Sequence, residues 1–85
     1  MTTRILFFGA LRDKAGGGER SVELPPDVRT ISALIDWLAD DDPALKAALR
    51  APSVRVAVDR SIAAGRDERL SPGKEIAFMP PFSGG

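Results

Sequence analysis

The apolar residues of this chain fall into two spacings. Ile5-Leu6-Phe7-Phe8 is apolar at consecutive positions, the pattern of a strand covered on both faces. Ser21-Val22-Glu23-Leu24 alternates, so Val22 and Leu24 share a face, and Pro25-Pro26 ends that strand because proline cannot donate to the ladder. Between them, Gly9 to Lys14 leaves the first strand and Ala15-Gly16-Gly17-Gly18 is a turn signal, which predicts a hairpin. Helical spacing begins after Thr30, a good N-cap: Ile31, Leu34, Ile35 and Leu38 stand at i, i+3, i+4 and i+7. Asp42-Pro43 reads as a cap followed by proline at the first helical position, opening a short second helix from Pro43 to Arg50 that buries Leu45 and Leu49. Pro52-Ser53 breaks it. Val54, Val56 and Val58 then alternate with Arg55, Ala57 and Asp59, as in a half-buried strand. Ile62 to Arg69 is short and polar and predicts a brief edge strand and a loop. Ser71 to Lys74 is a turn, Glu75 to Met79 the last strand, and Pro80 to Gly85 a tail.

This order predicts an α+β fold of the β-grasp kind. It is a mixed sheet of four to five strands with one main helix and a short second helix. The domain spans residues 1–79 and an extended tail spans 80–85. The first and last strands are expected side by side at the centre, with the helical stripe packed on Ile5, Phe7, Ile76 and Phe78. Leu6, Phe8, Ala77 and Met79 then point to the opposite face. A domain with its helices on one side has nothing of its own to cover them, and apolar patches of this kind mark partner surfaces.

Composition narrows the chemistry. Eighty-five residues make one domain with one modest core. The chain is 44% hydrophobic and 28% charged, as in soluble globular proteins, and its twelve basic residues balance twelve acidic ones. A net charge of zero, with arginines spread from Arg4 to Arg69, argues against a nucleic-acid footprint. The apolar run Ile5 to Phe8 is too short for a signal-peptide core or a membrane span. A cytoplasmic protein with neither a nucleic-acid nor a membrane partner is expected.

The sequence has no cysteine and no histidine. It therefore lacks the usual intracellular nucleophile and the usual neutral acid–base. Metal sites need His, Cys or clustered carboxylates, and Asp40-Asp41-Asp42 lacks the spacing of a calcium loop, so no metal ligands are assigned. Gly16-Gly17-Gly18 matches neither the dinucleotide fingerprint nor the P-loop. A stand-alone enzyme is disfavoured. What remains is the end of the chain. Pro80-Pro81 stiffens the tail, six extended residues reach about 20 Å, and Gly84-Gly85 forms a tip without side chains that suits a narrow channel. The carboxylate of Gly85 is unhindered and becomes reactive once another enzyme activates it with ATP.

Three stretches carry a resemblance: Leu6-Phe7-Phe8-Gly9-Ala10-Leu11-Arg12, then Ala57-Val58-Asp59, and above all Gly73-Lys74-Glu75-Ile76-Ala77-Phe78-Met79-Pro80-Pro81-Phe82-Ser83-Gly84-Gly85. Over essentially its whole length the chain resembles the small subunits of molybdopterin synthase, sulfur carriers of the ubiquitin-like β-grasp superfamily. The resemblance implies that an adenylyltransferase related to ubiquitin-activating enzymes transfers AMP to Gly85. A sulfur donor protein then converts the acyl-adenylate to a thiocarboxylate. The tail, Pro80, Pro81, Phe82, Ser83 and Gly84, enters the large synthase subunit, and sulfur passes to cyclic pyranopterin monophosphate to build molybdopterin. The implied assembly is a heterotetramer, with the catalytic residues on the large subunit and no permanently bound cofactor on this one. By position, Phe8, Ile62 and Met79 match contacts with the large subunit, and Arg12 a contact with the activating enzyme. Three residues depart from the family pattern: Asp59 for asparagine, Met79 for an aromatic, and Phe82 for a smaller β-branched residue. The alternatives are a β-grasp carrier for thiamine or tRNA thiolation, a ubiquitin-like modifier joined to lysines, or an interaction module.

Overall fold

The computed structural model of the protein describes residues 2–70 and 73–80. Its elements are β1 (Thr2–Phe7), α1 (Ala10–Ala15), β2 (Glu19–Glu23), α2 (Ile31–Leu38), α3 (Pro43–Arg50), β3 (Arg55–Val58), β4 (Ser61–Ile62) and β5 (Glu75–Met79). The strands form one sheet in the order β2-β1-β5-β3-β4. β1 and β5 run parallel, and the other neighbours are antiparallel. Joining the first strand to the last in parallel puts β5 at the centre, flanked by β1 and β3.

The core lies between the sheet and the helices. Ile5, Ile31, Leu34, Ile35, Leu49, Ile76 and Phe78 are wholly buried, with Phe7, Leu11 and Leu45 nearly so. Ile31, Leu34 and Ile35 of α2 share one core cluster with Ile5, Phe7, Ile76 and Phe78 of the two central strands. Both main helices start as their caps dictate. The Thr30 hydroxyl accepts from the Ala33 amide at 3.1 Å, and the Asp42 carboxylate accepts from the Leu45 amide at 3.1 Å with Pro43 in the first turn.

The segment after β4 has little regular structure, yet it is tied down. Ile31 and Ser32, whose amides α2 itself leaves unpaired, donate to the carbonyls of Glu68 and Arg66 at 3.2 and 2.8 Å. The Arg66 guanidinium in turn donates to the carbonyls of Leu49, Ala51 and Val54 around the end of α3. One loop thus closes the start of one helix and the end of another.

Three expectations need correction. The first two strands are antiparallel partners, but the link between them is not a plain turn: α1 stands inside it. Gly16, in the left-handed region at φ 79°, caps that helix, and Gly17 donates to the Arg12 carbonyl at 2.9 Å. The glycine run that reads as a hairpin turn is a helix stop. The second difference is in β3, where Ala57 is buried as well as Val56, although Ala57 points to the face opposite the helices. The α2 and α3 helices are also equal in length, eight residues each. No described helix is long and apolar enough to cross a membrane.

Candidate functional site: the sheet face opposite the helices

Strand alternation and register assemble this face. Directly paired residues point the same way from a sheet. Leu6 pairs with Ala77, Ala77 with Ala57, and Ala57 with Ile62. These four form one apolar row across β1, β5, β3 and β4, about 14 Å long at ordinary strand spacing. The next row holds Phe8 and Met79. Phe8 extends the parallel ladder by donating its amide to the Phe78 carbonyl at 3.1 Å, and Met79 pairs with Arg55.

The exposure of these side chains is uneven in an informative way. Ala57 and Ala77 are covered by their taller neighbours, while Phe8 is 46% and Ile62 56% exposed. Two large apolar side chains thus stand in solvent around a low floor of alanines. Exposed apolar side chains grouped on one sheet face in this way mark a surface that a partner covers.

Charge closes the face at the opposite end. Arg4 bridges Glu19 at 3.2 Å and Glu75 at 3.4 Å, and Lys74 bridges Asp59 at 3.1 Å. The hydrogen bond from Lys74 holds the Asp59 carboxyl below the usual carboxylate range, and the charge of Lys74 adds to it. Arg4 is raised above its ordinary value by its hydrogen bond to Glu19. These pairs neutralise one another and leave Leu6, Ala77, Ala57 and Ile62, with Phe8 and Met79 beside them and Arg55 at the edge next to Met79, as the distinctive part of the face.

The structure brings together three of the four predicted interface residues, Phe8, Ile62 and Met79. Arg12 stands apart: it is exposed on α1, which packs against α3 in the helical layer. Leu6 and Ala77 complete the patch as alternation implies. Ala57 was not legible, because its polar neighbours Arg55 and Asp59 make the strand look half-buried; only its register opposite Ala77 reveals it. Pro80, at the root of the tail, is half-buried. Pro81, Phe82, Ser83, Gly84 and Gly85 lie outside the described residues. Among the described residues no group of three or more His, Cys, Asp or Glu side chains gathers to hold a metal. Asp40 and Asp41 are solvent-exposed at the junction where Asp42 caps α3.

A parallel pairing of first and last strands, helices on one face and an apolar opposite face define a small ubiquitin-like β-grasp protein. The chain belongs to the ThiS family, whose profile matches residues 5–85. It is 30% identical over 82 residues to the molybdopterin synthase sulfur carrier subunit of Escherichia coli (strain K12), covering 96% of this chain and 98% of that one. Among solved structures it is similar to SAMP1 from Haloferax volcanii, with 25% identity, a TM-score of 0.80 and full coverage of both chains. It also superposes, with a TM-score of 0.65, 16% identity and full coverage of both chains, on a chain from the complex of subunits 1 and 2 of molybdopterin-converting factor from Helicobacter pylori. At that identity the likeness is one of fold alone. The resemblance drawn from the residues and the β-grasp fold are both borne out.

Proposed function

We propose that the protein is a sulfur carrier of molybdenum cofactor biosynthesis, the small subunit of a molybdopterin synthase, and that its working group is the carboxylate of Gly85. The observation that carries this reading is the family match, which spans residues 5–85 and so takes in Gly84-Gly85, alongside similarity to a synthase sulfur carrier subunit. The apolar face supports it, since it offers a docking surface for a large subunit beside the root of the tail.

The chemistry is group transfer at a carboxylate. An oxygen of Gly85 attacks the α-phosphorus of ATP on an adenylyltransferase, and pyrophosphate leaves. A donor supplying sulfur at the sulfide level attacks the acyl carbon, and AMP departs with the oxygen. The product is a thiocarboxylate and a proton, with no change of oxidation state. On the large subunit that sulfur bonds to a carbon of the pterin precursor as an oxygen substituent leaves that carbon, giving a thioester between the two. Water then cleaves the acyl–sulfur bond and regenerates the carboxylate. Docking and tail positioning are what this chain contributes; the catalytic side chains belong to the partners.

A second reading is favoured by the likeness to SAMP1. A β-grasp protein activated in the same way can be joined through Gly85 to lysines of other proteins. The two readings share adenylation and part at what consumes the product. Intact-mass analysis after incubation with ATP, an adenylyltransferase and a sulfide source separates them. The carrier reading expects a chain heavier by sulfur-for-oxygen exchange that loses this sulfur to the pterin precursor when a large subunit is added. Covalent conjugates with no such transfer overturn it in favour of the modifier.

A further inference from the structure

We infer that a small cavity at the β3–β4 edge of the apolar face receives an acidic side chain of the docked partner, and that Arg55 is the residue that pairs with it. The inference rests on the reading of that face as the docking surface for a large subunit.

The cavity has a volume of about 240 Å³, and Arg55, Val56, Ala63, Gly65 and Arg66 are among the residues that line it. It adjoins the apolar face on two sides. Arg55 pairs directly with Met79, so the two side chains leave the sheet on the same face. Ala63 follows the exposed Ile62, and its amide donates to the Val56 carbonyl at 2.8 Å. A partner that covers Phe8, Met79 and Ile62 therefore reaches the mouth of the cavity.

Two cations line this space, and among the described residues neither has a counter-ion. Arg66 is half-buried and fixed in place. One of its terminal nitrogens donates to the carbonyls of Leu49, Ala51 and Val54 at 3.3, 3.0 and 3.3 Å, and its Nε is buried without an acceptor. Carbonyl dipoles satisfy donors but bring no net charge, and a cation taken from water without a partner is costly. Arg55 is exposed, beside Met79. The carboxylates nearby in sequence do not serve either arginine. Glu68 accepts from the Ala64 amide at 3.3 Å, and Asp67 lies against Gly65, where a Cβ would stand 3.0 Å from its Oδ1. Elsewhere on the face the cations are matched, Arg4 by Glu19 and Glu75, and Lys74 by Asp59. Among the described strand residues on this face, Arg55 is the cation left over.

Size and setting select the occupant. Small-molecule sites run to about 300–1,000 Å³, so this space suits a single side chain. A net charge of zero, with the rest of the face in balance, argues against a polyanion. A carboxylate meets a guanidinium through two parallel hydrogen bonds that are shorter and stronger than neutral ones. Apolar cover over Met79 and Phe8 keeps water from such a pair, the setting in which interfacial charge pairs couple strongly. An apolar patch by itself specifies orientation poorly, whereas a charge pair at its edge fixes register. Arg55 thus selects which partner the face accepts, and in which orientation.

The test uses the full chain and the large molybdopterin synthase subunit of the same organism. Titration calorimetry at low and high salt reads affinity, and the melting temperature reads folding. Arg66 is left in place, since it also ties down the end of α3. Arg55→Glu is expected to melt as the wild type does and to bind at least about tenfold more weakly. Arg55→Met keeps the stem and leaves the partner's carboxylate unpaired, so it too is expected to lose affinity, and with it part of the salt dependence. Arg69→Glu makes the same charge change at an exposed position that does not line the cavity, and should bind as the wild type does. Reversal of the large subunit's acidic residues to lysine, one at a time, should restore binding to Arg55→Glu at one position. Binding that Phe8→Ala weakens, but Arg55→Glu weakens no more than Arg69→Glu, overturns the inference and leaves the docking surface standing. A loss in Arg55→Glu that no reversal rescues also overturns it. A large subunit that does not bind the wild-type chain overturns the docking reading and the inference together.

Discussion

The rings of Phe7 and Phe78 stack with centroids 5.8 Å apart and planes 10° from parallel, and the two residues are direct partners in the β1–β5 register. Because both face the helices, the residues that follow them, Phe8 and Met79, must face the other way. The strand pairing that seals the core therefore builds the apolar patch as well. The two sets of residues should respond differently to truncation. Phe78→Ala should cost about 3–5 kcal/mol of folding stability. Phe8→Ala and Ile62→Ala, at exposed positions, should cost much less stability but more than about 2 kcal/mol of affinity for a large synthase subunit. Chemical denaturation and titration calorimetry on the same variants measure both. Unchanged affinity in Phe8→Ala would remove this face from the interface.

Thr3 is wholly buried, and its hydroxyl has no hydrogen-bond partner. A buried polar group left unpaired costs about 1–3 kcal/mol, whereas valine has nearly the same shape. Thr3→Val is expected to stabilise the protein by about 1 kcal/mol, seen as a higher denaturation midpoint with an unchanged slope. A lower midpoint would mean that the hydroxyl is satisfied in solution.

Asp59 and Arg60 join β3 to β4 with φ of 54° and 71°. A two-residue hairpin turn with both φ positive favours Asn-Gly. Arginine has no side-chain bond of its own to offset the left-handed conformation, which costs roughly 1–2 kcal/mol for an ordinary residue. Arg60→Gly is expected to stabilise the fold by about 1 kcal/mol. Equal or lower thermal stability would contradict the strain assigned to this turn.

Acid should weaken the protein through exposed ion pairs. The hydrogen bond from Arg50, at 2.7 Å, holds the Asp36 carboxyl below its ordinary value of 3.8, and Lys46 lies 3.8 Å away. The hydrogen bond from Lys74 does the same for Asp59. A carboxyl whose value falls on folding contributes stability that is complete above the unfolded value and is lost as pH falls through the folded one. The loss should therefore begin below about pH 4, be modest because these groups are exposed, and shrink in high salt. Asp36→Asn should flatten part of this dependence. A denaturation series run down to about pH 2 at low and high salt checks it, and an equally steep loss in Asp36→Asn would contradict the assignment.

Much of this was legible in the chain itself. Thr30 and Asp42-Pro43 mark both main helices because a cap is a local device, written in the residues that make it. The bounds Pro43–Arg50 and Glu75–Met79 follow directly. The α1 helix was not legible: six residues carry only one buried side chain, Leu11, so periodicity has nothing to count. Ala57 and the pairing of Arg55 with Met79 were hidden for a different reason. Both depend on which strand lies beside which, and that is a property of the sheet rather than of any local stretch of sequence.

The central claim is that the Gly85 carboxylate, and no side chain, is the reactive centre. Its most direct test is intact mass after incubation with ATP, an adenylyltransferase and sulfide, comparing the native chain with one amidated at Gly85. Amidation removes the carboxylate without adding bulk, and the folded domain should melt as before. The native chain is expected to gain mass by exchange of oxygen for sulfur, and the amidated chain to gain none. Sulfur uptake by the amidated chain would contradict the account.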